Sequence, residues 1–377
     1  MRIAINTRFL ITGKMEGFGW YAYEVTKRLV ENNPDHQFIL FFDRPFDPRF
    51  VFGKNVTPVV LSPQARHPIL FKIWFNYSVT RALKKYRADV FFSPDGYLSL
   101  KTDIPQVAVI HDINFEHFPE DLPKTARKYL RKYFPKFARK ATKIITVSEY
   151  SKSDLVKTYG VSPEKITASW NGASDVFKPI SEAKKSEVRN AVSNGQPYFL
   201  FVGALHPRKN LKRLLSAYEA FINLRPDSPY RLVIVGEEMW KGNSSLSPTN
   251  DAVKARISFT GHVKLENLAE IMAAAAIFTF VPYFEGFGIP LVEAMKSGTP
   301  VLCGDKTSLP EVGGDAVMYC DPFDEKDILD KLIQLVDDTA LQEKLREKGL
   351  ERGKLFSWDR TANDVWTVLS DVGATNA

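Results

Sequence analysis

Short apolar runs alternate with longer helical patterns along this chain, and the whole alternation occurs twice. In the first half, strands are expected at IAIN (3–6), FILFF (38–42), VTPVVL (56–61), DVFFS (89–93), QVAVI (106–110) and KIITVS (143–148). Helical patterns lie between them, over about 18–32, 69–87, 124–140 and 149–159. A polar stretch from Asp175 to Gln196, around Pro179, then reads as a linker with a short surface helix. Strands resume at YFLFVGA (198–204), YRLVIVG (230–236), RISFTG (256–261), AIFTFVP (276–282), TPVLCG (299–304) and AVMYC (316–320). Helices follow over about 324–336 and 339–355, with a last one in FSWDRTANDVWTVL. Consecutive strands joined through helices must run parallel, so the pattern predicts two doubly wound, Rossmann-like α/β domains. Their expected limits are 1–178 and 179–357.

At 377 residues the chain is too long for one compact core, which agrees with two domains. No apolar run approaches the roughly 20 residues of a membrane-spanning helix. MRIAIN starts directly as a strand with no signal-peptide pattern, so a cytoplasmic protein is expected. Cys303 and Cys320 sit in apolar stretches and read as buried free thiols. The net charge of +7 suits any anionic partner, and its distribution says more. Lys124 to Lys143 holds nine Lys or Arg and no acid, interleaved with Tyr129, Leu130, Tyr133, Phe134 and Phe137. That is a basic amphipathic helix, interrupted or kinked by Pro135. Two readings stand: a solvated face over a core stripe, or attraction to anionic headgroups at the inner face of a membrane. No nucleic-acid recognition motif accompanies the charges.

The chemistry concentrates in FEGFGIPLVEAMKSGTP, Phe284 to Pro300. The run after Gly288 reads as a buried helix with Pro290 in its first turn, where a missing N–H costs nothing. A glycine-rich loop opening a helix aims unpaired N–H groups outward, as a phosphate requires. Glu285 and Glu293 repel phosphate, so their partners are neutral hydroxyls such as those of a sugar or ribose. The combination suggests a nucleotide-diphosphate sugar. In FVGALHPRKNL, Arg208 and Lys209 follow a strand and precede a helix capped by Asn210, where two cations neutralise a diphosphate without a metal. GFGWYA mimics a dinucleotide fingerprint, yet about ten residues separate it from the first strand, which disfavours an NAD enzyme. There is no Asp-x-Asp pair and no zinc-spaced His/Cys cluster, so no metal site and no bound cofactor are expected.

FEGFGIPLVEAMKSGTPVL resembles the donor-site motif of retaining glycosyltransferases of family 4, which have the GT-B fold. The likeness extends over nearly the whole chain and is strongest over 197–320. It implies two Rossmann-like domains facing across a cleft, the second holding the donor and the first presenting the acceptor, with a last helix (about 358–372) crossing back onto the first. It implies transfer of a hexose, with retention and without metal, to a glycan or lipid-linked glycan acceptor in polysaccharide biosynthesis. By the same resemblance Glu285, Arg208, Lys209 and His111 are catalytic, and Gly19, Gly286, Phe287, Gly288 and Glu293 touch the donor. Gly261, His262 and Val263 lie where the family's nucleotide base docks on backbone groups. Many members carry an arginine where this chain has Ala204. The similarity around HDINFEHFPE and HPRKN points to GDP-mannose. A GT-B epimerase and a catalytically silent nucleotide-sugar scaffold remain as alternatives. TVSEYSKSDL, with Ser151 as cap, and SLPEVGGDA read as structural, and Asn171–Gly172 as a tight turn.

Overall fold

A computed structural model describes residues 1–13, 15, 17–203, 206–236 and 250–374. The chain forms two compact units, one of residues 1–172 and 358–377, the other of residues 173–357.

The first unit carries seven strands: β1 (Arg2–Asn6), β2 (Gln37–Phe42), β3 (Val56–Val60), β4 (Val90–Ser93), β5 (Gln106–Val109), β6 (Lys143–Thr146) and β7 (Ile166–Ala168). They pair in the order β3-β2-β1-β4-β5-β6-β7, every pair parallel. The inner strands are buried on both faces, which is why they read as unbroken apolar runs rather than as alternation. Pro58 lies in β3 at the sheet edge, where a missing N–H leaves no central ladder broken. The second unit carries β8 (Tyr198–Val202), β9 (Arg231–Val235), β10 (Ile257–Gly261), β11 (Ile277–Phe280), β12 (Val301–Gly304) and β13 (Met318–Cys320). Their order is β10-β9-β8-β11-β12-β13, again parallel throughout. Both sheets are therefore doubly wound, and each unit has its own apolar core.

Several local expectations are corrected. β7 is a three-residue strand too short to stand out as an apolar run. The helix Lys124–Lys140 continues through Pro135, because Tyr129, Phe134 and Phe137 anchor its inner face in the core. That anchoring outweighs the roughly 3 kcal/mol of an interior proline. The boundary between the units falls at 172/173 rather than 178/179. Phe177 is buried, Lys296 Nζ donates to Ala173 O (3.0 Å), and Pro179 packs near Gly298, so residues 173–178 belong to the second unit. Asn171 and Gly172 form no turn; the turn lies at Asp175–Val176. The helix Trp358–Ala374 packs within the first unit, with Thr361 Oγ1 donating to Trp170 O (2.7 Å) and Arg28 paired to Asp359 (2.5 Å).

Candidate functional site

In an open parallel sheet, ligands bind beyond the carboxyl ends of the strands, where the strand order reverses. In the second unit that reversal lies between β8 and β11, and the loops leaving these two strands carry the candidate residues.

Beyond β8, the chain makes a short 3-10 turn, Pro207–Lys209, whose N-cap is His206: its Nδ1 accepts from the Arg208 N–H (3.3 Å). Ala204 lies outside the described residues. Asn210 comes next and stands at the expected N-cap position of the helix Leu211–Leu224, but its side chain makes no capping hydrogen bond. Its φ is +62°, a left-handed conformation that Asn tolerates, and its side chain is buried. Its Nδ2 donates to Val281 O (2.9 Å) and Pro322 O (2.6 Å), so it ties the loop after β8 to those after β11 and β13.

The loop after β11 meets that turn directly. The Tyr283 N–H donates to Arg208 O (3.1 Å), and Arg208 Nη1 donates to Phe284 O (3.1 Å). Arg208 and Lys209 both pair with one oxygen of Glu285, Oε1, at 2.8 and 2.6 Å. The other oxygen, Oε2, has no hydrogen-bond partner among the described residues. Burial pushes the Glu285 carboxyl up, but the two cations outweigh it and hold the group below the usual carboxylate range. Glu285 is thus ionised, only 6% exposed, and presents one open acceptor oxygen.

The loop is pinned from beneath by Ser308, which opens the SLPEVGGDA run read as structural, and by its neighbour Thr307. Thr307 Oγ1 accepts from the Glu285 N–H (3.1 Å), and Ser308 Oγ donates to Glu285 O (2.9 Å) and Phe287 O (3.2 Å). Gly288 takes φ +98°, a conformation in which any other residue is strained, and a Cβ there would also press on Leu309 Cδ2 at 2.9 Å. The helix Ile289–Lys296 starts at this point without a side-chain cap. The N–H groups of Phe287, Gly288 and Ile289 have no partner among the described residues. The Phe287 ring is buried against Phe356, leaving only its backbone for a ligand.

Replacing Ser308 with alanine leaves two buried carbonyls short of their donor. The expected cost is about 1–3 kcal/mol in a thermal or urea melt. An unchanged melting curve would show that the carbonyls find other partners.

Glu293 sits one turn inside the same helix, half-buried, with no side-chain hydrogen bond among the described residues. Burial pushes its pKa up to about 8, and the Lys209 charge only partly offsets this. An unpartnered, half-buried carboxyl near Lys209 is costly for the empty protein, as expected of a group built to meet a ligand.

The remaining candidates lie on other elements of the chain. Gly261 to Val263 leave β10, two strands from β8. Gly261 has φ +68°, its carbonyl accepts from the Gly236 N–H (3.2 Å), and His262 is exposed. No hydrogen bond or ion pair among the described residues joins them to Glu285. Gly19 and His111 belong to the first unit. Gly19 lets its helix approach the loop after β1: a Cβ would stand 3.1 Å from Phe9 O. His111, just past β5, donates from Nε2 to Pro94 O (2.8 Å), since a carbonyl only accepts. Burial holds its pKa below the ordinary imidazole value, so the ring is neutral and Nδ1 is an acceptor. Tyr21 and Phe18 pack edge-on against it, at 4.8 and 4.7 Å. Ser151 does not cap its helix. Ser148 does, and Ser151 Oγ instead donates to His111 O (2.8 Å).

One pair escaped sequence reasoning. Arg8 and Asp95 form a buried ion pair (2.6 Å) where the strand order of the first sheet reverses, between β1 and β4. The guanidinium also lies over the rings of Tyr97 (4.4 Å) and Phe9 (4.6 Å). The signal was present: a charged residue just beyond each of two apolar strands.

A family model described as "Glycosyltransferase Family 4" matches residues 15–175, and one described as "Glycosyl transferases group 1" matches residues 182–352. The chain is 29% identical over 357 residues to the O-antigen chain mannosyltransferase B of Escherichia coli, covering 92% of this chain and 93% of that protein. Among solved structures, the sucrose-phosphate synthase of Thermosynechococcus elongatus superposes with a TM-score of 0.78 at 17% identity, over 99% of both chains. Anabaena HepE, solved in complex with UDP and glucose, superposes with a TM-score of 0.75 at 16% identity, over 98% of this chain and 100% of that one. At these identities the two structures speak to the fold alone.

Proposed function

The chain belongs to the glycosyltransferases of family 4, which have the GT-B fold, and from that premise we propose that it moves a hexose from a nucleotide-diphosphate sugar to a glycan or lipid-linked glycan acceptor, with retention and without metal. The observation that carries this reading is the charge layout after β8 and β11. Two cations converge on one oxygen of Glu285, its second oxygen is open, and an unpartnered carboxyl stands one helical turn away. With Glu293 protonated, that cluster holds one net positive charge, matched to an arriving diphosphate.

In this reading Glu285 Oε2 accepts from a hydroxyl of the transferred sugar, and Glu293 accepts from the ribose. As the bond to the diphosphate breaks, charge grows on the leaving oxygens. Arg208, Lys209 and the N–H groups of Phe287, Gly288 and Ile289 stabilise it without reorganising. His111, whose neutral ring leaves Nδ1 as an acceptor, keeps the sugar-contacting role that the family likeness gives it. The leaving phosphate takes the acceptor hydroxyl's proton. The mannosyltransferase relative in Escherichia coli supports a mannosyl donor and a place in polysaccharide assembly, and the likeness around HDINFEHFPE and HPRKN makes GDP-mannose the donor of this reading. The basic face of Lys124–Lys140 belongs to the same reading, as an electrostatic contact with an anionic membrane surface holding the acceptor.

The test is a thermal-shift panel of UDP-, GDP-, ADP- and TDP-sugars, without added metal, on the wild type and on Glu293→Ala. A donor at 100 times its dissociation constant stabilises by roughly 2.7 kcal/mol. GDP-mannose is expected to shift the wild type and not the variant. A flat panel on folded protein, or shifts indifferent to the substitution, overturns the assignment.

A further inference from the structure

The first unit has an exposed apolar stripe that nothing in the transfer reaction uses. A helical stretch runs through Pro68–Ile73, a π-turn segment Trp74–Val79, and Thr80–Lys85. Its inner face is fixed by Trp74, Phe75 and Val79, all buried. On the opposite side, successive residues four apart are exposed: the apolar Ile69 (63%) and Ile73 (38%), then the ring of Tyr77 (43%), whose hydroxyl accepts from Lys101 Nζ (2.9 Å). Such large hydrophobics are seldom left facing water in a row. Lys72 and Lys84 on the same stretch are exposed.

A strongly basic surface adjoins this stripe. The helix Lys124–Lys140 is its neighbour, with the Phe71 and Tyr129 rings 5.8 Å apart. Six of the seven exposed residues of that helix are Lys or Arg, and none is acidic. Between the two helices opens a cavity of about 330 Å³, walled by Phe71, Tyr97 and Tyr129 and edged by exposed Arg66 and His67. An apolar stripe bordered by dense positive charge is complementary to one kind of surface, a bilayer with anionic headgroups.

We propose that the stripe Ile69–Ile73–Tyr77 inserts into the headgroup boundary of an anionic membrane while the basic helix beside it holds the headgroups. This deepens the membrane contact proposed above for that helix and does not depend on the transfer chemistry. Charge alone gives binding that salt screens away. Insertion adds a component that salt leaves in place.

The experiment is vesicle co-sedimentation of the intact protein, using phosphatidylglycerol/phosphatidylcholine or phosphatidylcholine alone, at low and high salt. Two variants accompany the wild type: Ile69→Ser with Ile73→Ser, and Lys128→Glu with Lys132→Glu and Lys136→Glu. The wild type is expected to bind the anionic vesicles at least tenfold tighter than the neutral ones, and to keep part of that binding at high salt. The isoleucine variant is expected to lose about tenfold and all salt-resistant binding, with its melting temperature and donor-induced shift unchanged. Isoleucine-variant binding equal to the wild type overturns insertion, whatever the lysine variant does. Equal binding to neutral vesicles overturns the charge match. A wild-type dimer in size exclusion that the isoleucine substitutions dissolve assigns the stripe to a second copy of the chain and overturns the proposal. A lysine variant that still binds sinks the helix contact separately.

Discussion

Lys209→Ala is expected to lower kcat by about 10²–10³-fold, with a smaller change in KM. Lys209 Nζ lies 2.6 Å from Glu285 Oε1 and over the Phe280 ring, largely shielded from water, so its charge acts in a low-dielectric setting. Removing one preorganised donor to developing oxyanion charge costs about 3–4 kcal/mol of barrier. The interaction grows as the diphosphate departs, so the loss belongs mainly in kcat. A stability cost accompanies it, since Glu285 keeps only Arg208. That cost should stay below the roughly 3–5 kcal/mol typical of stripping a buried charge of its partner, because one cation remains. Single-turnover transfer measured beside a melting curve separates the two effects. Turnover within about threefold of wild type in folded Lys209→Ala would remove this lysine from the reaction.

Glu293→Gln is expected to do the opposite to stability. The folded-state pKa of Glu293 is raised to about 8 by burial, whereas an unfolded glutamate titrates near 4.5. The folded protein therefore holds a proton that the unfolded chain releases. The stability this proton contributes is complete below about 4.5 and falls as pH rises to about 8. A pKa difference of one between the two states corresponds to about 1.4 kcal/mol. Allowing for the partial exposure of the side chain, the wild type loses on the order of 3–4 kcal/mol across that window. Glutamine mimics the protonated carboxyl and does not titrate. The variant should match the wild type near pH 4.5 and melt several degrees higher at about pH 8.5, in the absence of ligand. Donor binding should respond inversely. Above about pH 8, where Glu293 is ionised, a carboxylate accepting two hydroxyls is worth more than an amide that accepts only through its carbonyl, so affinity there is expected to fall roughly 10- to 100-fold. Melting temperatures recorded from about pH 4.5 to about pH 8.5 decide the matter. Parallel curves for the two proteins would show that Glu293 keeps an ordinary pKa.

These two glutamates also mark how far sequence reasoning reached. Both stand out in the sequence as candidate ligand groups because a glycine-rich turn and an apolar helix surround them. Their different states do not. Glu285 is ionised because Arg208 and Lys209, some 76 positions earlier, close on it; Glu293 is protonated because it pairs with neither. The supports of the loop were equally hidden, since Thr307 and Ser308 look like ordinary turn residues until their hydroxyls are found on the Glu285 backbone. Asn210 shows the same limit from the other side. Just ahead of a helix it reads as a cap, yet its amide reaches two distant carbonyls instead.

What the sequence determined alone is the set of local periods. Short unbroken apolar runs, separated by helical patterns, leave parallel sheets buried on both faces as the arrangement that pairs every backbone group. Hence two doubly wound units, and hence loops at strand ends as the place for chemistry. What only the tertiary structure decided is which charges share a loop and which stand alone. That depends on strand order, because β8 and β11 are far apart in the chain and adjacent in the sheet. Ionisation states follow from the resulting distances and burial, and neither is encoded in any short stretch of residues.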